Sequence, residues 1–257
     1  MKNAFVTYLA TDDFLPGVVA LRKSLTAFGN HTKLLVLYTS EVSIDVVHFL
    51  VSESFWVKQV DEIKNPKTFD FDTKFNYTYN KLNIFNLTEF KKIIFLDADL
   101  LVCNNIECLF DRPHMSAVAA GNIVVTDWVN LNSGMLVVSP DQALFEEMLE
   151  LKNVLQSNGG DQGFLQSFYK EWPMNKTLHL NPRFNVPFIF LKEYTNSICY
   201  FNYSKKKLET DIFIIHFWGE VKPWQINFRS LDRKSQDVNI QALFFWNDMF
   251  KSEISIA

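Results

Sequence analysis

A chain of 257 residues, 48% hydrophobic and 15% aromatic, has the length of one α/β domain and enough apolar material for a large core. Its formal net charge of −4 argues against a surface for duplex nucleic acid, and three cysteines (Cys103, Cys108 and Cys199) with no Cys-x-x-Cys pair rule out a disulfide framework. No apolar stretch is long enough to span a membrane, and Met1-Lys2-Asn3-Ala4 runs into strand-like sequence without a signal peptide, so a reducing, cytoplasmic location is expected. The one basic run, Lys205-Lys206-Lys207, reads as a solvated loop.

In chain order, Ala4–Ala10 reads as a buried strand, Leu15–Phe28 as a helix closed by Gly29-Asn30, Leu34–Tyr38 as a second strand, Ser43–Ser52 as a helix and Phe55–Val60 as a third strand. This alternation predicts a mostly parallel sheet with right-handed crossovers. Residues 61–78 form a long polar stretch, of the kind that often serves as a lid. A helix is expected over Tyr79–Phe90, with Leu82 and Phe85 on its apolar side. A short helix over Ile106–Phe110, a strand over Ser116–Ala120 and a turn into a strand over Asn132–Val138 follow. Ser139-Pro140-Asp141-Gln142 has Ser, Pro and Gln at the spacing of N-cap, N1 and N3 and opens a helix to about Asn153. Gly159–Gly163 reads as a glycine-rich loop before a helix over Phe164–Trp172, and a last strand over Phe213–Phe217 precedes a C-terminal helix over Asp237–Phe250. No repeat or linker divides the chain, so a single domain over 1–257 is expected, with a core over 3–224 and a helical tail over 225–257.

The chemistry concentrates where Ile93-Ile94-Phe95-Leu96 runs into Asp97-Ala98-Asp99. Two carboxylates one residue apart at the end of a buried strand lie on one side of an extended backbone, and both stay ionised only beside a cation. A hard divalent ion that also takes phosphate oxygens fits that need, at the carboxyl ends of strands where open α/β sheets place ligands. Tyr8, Thr11 and Phe14 could sandwich a flat base, Gly159-Gly160-Asp161-Gln162 lets backbone approach a ligand, His216 could join the metal, and Lys222 is a point charge for phosphate. Trp128, Trp218 and Trp224 could stack on sugar rings, although core packing would claim at least one of them.

Ala4–Thr7, Tyr79–Leu82, Phe95–Asp99, Asn104–Ile106 with Leu109–Asp111, Asn132–Gly134, Gly160–Gly163, and His216-Phe217 through Lys222-Pro223-Trp224 together resemble the glycosyltransferase family 8 enzymes, the glycogenin and galactinol synthase group. The resemblance implies a glycosyltransferase A-type, Rossmann-like α/β fold with a mostly parallel mixed sheet flanked by helices. It also implies a UDP-sugar donor, Mn2+ and retention of anomeric configuration, with glucose or galactose moved to a sugar, polyol or glycan acceptor; a homodimer is left open. Carried over by position, Asp97, Asp99 and His216 would be metal ligands, and Lys222 and Gly219 would hold the diphosphate. Tyr8, Thr11 and Tyr77 would contact the nucleoside, with Ala98 beside the ribose. Lys81, Asn132, Ser133, Asp161 and Gln162 would surround the donor sugar, the last two being the candidate catalytic groups. Two departures stand out: Asn158 replaces the carboxylate such chains carry before the Gly-Gly pair, and only Lys74 is a loose match for their basic residue ahead of the Lys81 helix. A self-glucosylated tyrosine is not identified, with Tyr194, Tyr200 and Tyr203 in the broad region. Two rivals are weighed: a non-catalytic sugar-nucleotide-binding protein, and a haloacid-dehalogenase-like phosphohydrolase in which the first Asp is a nucleophile.

Overall fold

The computed structural model describes residues 2–66, 76–119 and 121–251. Its centre is a pair of parallel strands, β1 (Lys2–Leu9) and β4 (Phe90–Leu96), with Phe5 opposite Ile94 and Val6 opposite Phe95. Both strands are covered on both faces, which is why they read as continuous apolar runs. From β1 the sheet grows outward through β2 (Leu34–Tyr38) and β3 (Trp56–Gln59), all parallel. Beyond β4 it continues through β7 (Leu131–Val138) and then β6 (Ser116–Ala119), both pairs antiparallel. The order β3-β2-β1-β4-β7-β6 is therefore mixed. The chain first winds away from β1 on one side and then crosses to its other side, so a crevice opens at the carboxyl ends of β1 and β4.

Helices α1 (Leu15–Ala27) and α2 (Ile44–Ser52) make the crossovers, and Ser43 caps α2 by accepting from the Val46 N–H. One face of the sheet packs Phe95 against Tyr79, Phe85 and Phe164; the other packs Phe5 and Leu96 with Val18, Leu21 and Ile214. A small sheet stands beside the main one, with β5 (Leu100–Val102), β11 (Ile214–His216) and β8 (Val186–Pro187) in the order β5-β11-β8. It packs with helices α5 (Leu191–Ser197) and α6 (Val238–Lys251) around Tyr194, Phe217 and Phe245.

Several expectations are corrected. The segment over Tyr79–Phe90 is a 3-10 helix over Thr78–Asn86 in which every residue from Tyr79 to Phe85 is buried. It has no solvent face to give it amphipathic period, and its polar residues serve as tethers: Asn80 accepts from the Ile63 N–H and donates to the Tyr8 hydroxyl, and Asn83 donates to the Asp61 carbonyl. The helix after Pro140, α3 (Gln142–Leu151), is capped by the Asp141 side chain on the Leu144 N–H; Ser139 is not its cap. Helix α4 is Asp161–Phe168, so Asp161 and Gln162 sit in its first turn and not in a loop. An antiparallel hairpin, β9 (Phe201–Ser204) with β10 (Lys207–Thr210), was not expected; Lys205 and Lys206 form its turn at φ of 51° and 61°. Of the proposed lid over 61–78, residues 67–75, with Lys74, lie outside the described residues, as does Ala120; the described flank before them is tied down at Asp61 and Ile63.

One buried histidine links this packing to pH. The Ser139 N–H donates to His114 Nδ1, which must then be unprotonated, and Nε2 faces the Tyr169 hydroxyl at 3.0 Å. Burial lowers the His114 pKa to about 4, with Lys92 pushing the same way and Asp141 opposing. The unfolded chain takes up this proton near pH 6.5 and the folded one does so only near 4, so stability is full above that window and falls as pH drops through it. The loss amounts to about 3 kcal/mol. Urea titrations across pH 7 to 4 should show it, and His114→Asn, whose amide oxygen can replace Nδ1 as acceptor, should flatten the slope.

Candidate active site

The crevice between β1 and β4 is a cleft of about 580 Å³. Tyr8, Thr11, Phe14 and Tyr77 line it, as do Asn132, Ser133, Asp161, Gln162 and Trp218. Lys81, Asp97, Ala98, Asp99, His216 and Lys222 also line it. Gly219 is the one expected site residue that does not; it sits between Trp218 and Lys222 at a φ of 120°.

Asp97 and Asp99 do not lie on an extended strand. β4 ends at Leu96, and the Leu100 N–H donates to the Asp97 carbonyl across a tight turn that leads straight into β5. That turn carries the chain from the large sheet to the small one. Strand pairing then delivers the third member: His216 is opposite Leu100, and the Phe217 N–H donates to the Asp99 carbonyl. Ligand atoms of Asp97, Asp99 and His216 come within 4.8 Å of one another. The ring of His216 packs onto Gly134, where a Cβ would stand 2.3 Å from Cε1, so no larger residue fits at that position. Gly134 also accepts the Asp97 N–H through its carbonyl.

A hydrogen-bond chain orients the imidazole. His216 Nδ1 faces Asn185 Oδ1 at 3.0 Å, while Asn185 Nδ2 donates to Asn132 Oδ1, which also takes the Gly134 N–H. Since Asn185 Oδ1 only accepts, Nδ1 carries a proton, and Nε2, 3.3 Å from Asp99 Oδ1, is the nitrogen that a metal ion would take in place of a proton. Two carboxylates and an unprotonated imidazole nitrogen are a donor set for a divalent ion such as Mn2+. Asn185 was missed as a site residue; its flanking prolines, Pro182 and Pro187, mark only an irregular segment.

Two lysines balance the acids. Lys81 Nζ lies 2.9 Å from Asp161 and 3.0 Å from Asp97, and also meets the Ser133 carbonyl. Burial opposes its charge, yet Asp161 and Asp97 hold the ammonium above the usual lysine range. Burial, reinforced by the nearby Asp99, pushes Asp97 up to about 6 against the pull of Lys81 and His216. Burial works in the same sense on Asp99, but His216 and Lys222, whose Nζ is 2.6 Å away, hold it well below the usual carboxylate range. Gln162 Oε1 accepts from the Ser133 N–H, which leaves its amide nitrogen for a ligand. Of the three tryptophans, Trp218 lines the cleft and Trp128 stacks behind it at 5.9 Å, whereas Trp224 packs between Phe14 and Trp246.

The comparisons with known proteins agree with this geometry. Among curated proteins, inositol phosphorylceramide glucuronosyltransferase 1 of Arabidopsis thaliana is 39% identical over 67% of this chain and 31% of its own length. Glycogenin-1 of Homo sapiens is 29% identical over 98% of this chain and 73% of its own. The chain thus spans about a third of the length of the plant relatives it matches. Among solved structures, an active-site mutant of LgtC aligns with a TM-score of 0.64 at 16% identity, covering 97% of this chain and 95% of that one. This shared architecture is the glycosyltransferase A fold. The profile described as Glycosyl transferase family 8 matches residues 5–227, and the chain belongs to that family.

Proposed function

We propose that the protein is a retaining hexosyltransferase that uses Mn2+ to move glucose or galactose from a UDP-sugar to an acceptor hydroxyl. The observation that carries this reading is the Asp97–Asp99–His216 cluster in a cleft lined also by aromatic side chains and amides. Tyr8, Phe14 and Tyr77 suit a base, and the burial of Tyr8 under Asn80 fixes its ring. Asn132, Ser133, Asp161 and Gln162 suit the hydroxyls of a sugar. A bound divalent ion would neutralise charge on the departing diphosphate. Lys222 would turn from Asp99 to a phosphate oxygen as that charge develops, which lowers the barrier selectively. The bond from the anomeric carbon to the β-phosphate oxygen breaks, and one to the acceptor oxygen forms as its hydroxyl passes its proton to the departing diphosphate oxygen. Asp161 is already paired with Lys81, which weakens it as a nucleophile and favours attack by the acceptor on the face the diphosphate leaves.

The relatives include glucuronosyltransferases by name, and the cleft speaks for a neutral donor sugar. Its cations are Lys81, spent on two carboxylates, and Lys222, at the metal. A donor carboxylate would have no free cationic partner among the described lining residues. The three cysteines are unpaired, which supports a reducing, cytoplasmic setting for one catalytic domain. Among the described residues, no helix is long and apolar enough to cross a membrane.

The test is hydrolysis and transfer with UDP-glucose, UDP-galactose, UDP-glucuronate and UDP-xylose in Mn2+, followed by mass spectrometry of the protein. Of the three tyrosines considered for self-glycosylation, Tyr194 and Tyr203 are buried and Tyr200 is exposed, so a sugar on Tyr200 is the self-modification to look for. Tight UDP binding with no hydrolysis or transfer from any donor would instead establish a binding protein. Asn185→Leu should weaken Mn2+ affinity about 10–100-fold by freeing the His216 ring, with calorimetric titration as the measurement. Unchanged affinity would detach the Asn185 chain from the metal.

A further inference from the structure

A second depression adjoins the cleft. It too measures about 580 Å³, and Asn158 lines both. Its other walls include Asn130, Gln156, Gln166, Ser167 and Lys170. The junction adjoins residues proposed to surround the donor sugar. Asn158 precedes the Gly159-Gly160 turn that leads into Asp161 and Gln162, and its Oδ1 accepts from the Gly160 N–H. Gly163 lets it sit there, since a Cβ at that position would stand 2.3 Å from Asn158 Oδ1.

The chemistry of this groove differs from that of the cleft. Among the described residues, no carboxylate lines it, and Lys170 is its one charged side chain. Part of its hydrogen-bonding capacity is unspent, although Ser157 and Asn158 bond the Gly159-Gly160 backbone. Among the described residues, the side chains of Asn130, Gln156, Ser167 and Lys170 make no hydrogen bond to the protein. Gln166 commits its Nε2 to the Leu131 carbonyl at 2.8 Å, which leaves Oε1 as an acceptor. Amides and hydroxyls that both donate and accept match the hydroxyls of a sugar. An anionic ligand would want more cations, and an apolar one would leave these groups unpaired.

The geometry points to this groove as an acceptor site for an uncharged oligosaccharide. The terminal sugar of that acceptor enters the cleft past Asn158, and its following units lie along Asn130, Gln156, Gln166 and Ser167. The inference rests on the reading of the cleft as a donor site.

The experiment offers linear malto-, cello- and xylo-oligosaccharides, from monosaccharide to hexasaccharide, with whichever UDP-sugar the protein hydrolyses in Mn2+. In at least one series kcat/KM should rise about tenfold or more with length, as a few added hydrogen bonds would give. Ser167→Trp, which fills the groove, and the milder Gln166→Ala should bring the ratio of long to short acceptor close to unity. That ratio is internally normalised, so a loss of folded protein does not imitate it. Equal use of short and long acceptors, transfer to no oligomer, or an undiminished ratio in Ser167→Trp would overturn the groove. No donor hydrolysis at all would remove the donor-site reading itself, and the groove with it, so the two failures are told apart.

Discussion

Asp99→Asn should lower metal-dependent transfer by about 10³-fold and leave the fold in place. The two oxygens of Asp99 face different cations, Oδ1 toward His216 Nε2 at 3.3 Å and Oδ2 toward Lys222 Nζ at 2.6 Å. An amide keeps the shape and one acceptor but removes the charge. An ion at this site would then meet a single carboxylate, Asp97, which burial already disposes toward protonation, and its affinity and its effect on the diphosphate would both fall. Stability falls as well: His216 and Lys222 hold Asp99 below the usual carboxylate range against burial, so its charge stabilises the fold, and the relief of repulsion with Asp97 offsets only part of the loss. Lys222 retains the Phe217 carbonyl at 3.2 Å. Sugar transfer or donor hydrolysis in Mn2+, read beside a thermal melt that remains one cooperative transition at a lower midpoint, checks this. A rate equal to that of the parent would take Asp99 out of the metal site.

What could be read without coordinates follows from how local each signal is. The runs Ala4–Ala10 and Ile93–Leu96 announce buried strands, and the carboxylates that break the second run announce a cation, because both signals lie within a few neighbouring residues. The position of His216 beside Asp99 depends on pairing between β11 and β5, a contact between residues more than a hundred positions apart. No local pattern encodes it: the residues alone offer His216 as a candidate ligand, and the resemblance to a family is what sets it beside the two acids. Asn185 is further removed still, since it acts on the imidazole and not on the ion. The β9–β10 hairpin escaped for a different reason. Phe201 and Tyr203 do alternate with polar residues, but Lys205 and Lys206 occupy left-handed turn positions that Asn and Gly usually advertise. The segment at Thr78–Asn86 has apolar spacing compatible with an α-helix, and it is burial on all sides, with Asn80 and Asn83 tied to neighbouring chain, that holds it as a 3-10 helix.

Lys81→Met isolates the other half of the electrostatics. Methionine preserves length and the contact with the Phe95 ring, which lies 5.0 Å from Nζ, so the change is essentially the loss of one buried charge. Asp161 and Asp97 then face each other without a counter-ion, and breaking such a pair should cost about 3–5 kcal/mol at neutral pH. Two conditions should restore part of that loss. Asp97, pushed up to about 6 even with Lys81 present, would titrate higher in the variant. Its folded-state pKa then exceeds that of the unfolded chain, so stability is gained as pH falls through the folded value and lost as pH rises through it. Saturating Mn2+ would supply the missing positive charge and bind the folded state selectively, so it should stabilise the variant by more than it stabilises the parent. Urea unfolding at pH 7.5 and pH 5, with and without Mn2+, measures all three. A deficit below about 1 kcal/mol, the size of an exposed pair, or one indifferent to acid and to metal would mean that solvent already screens Asp97 and Asp161, and that Lys81 does not hold the floor of the cleft together.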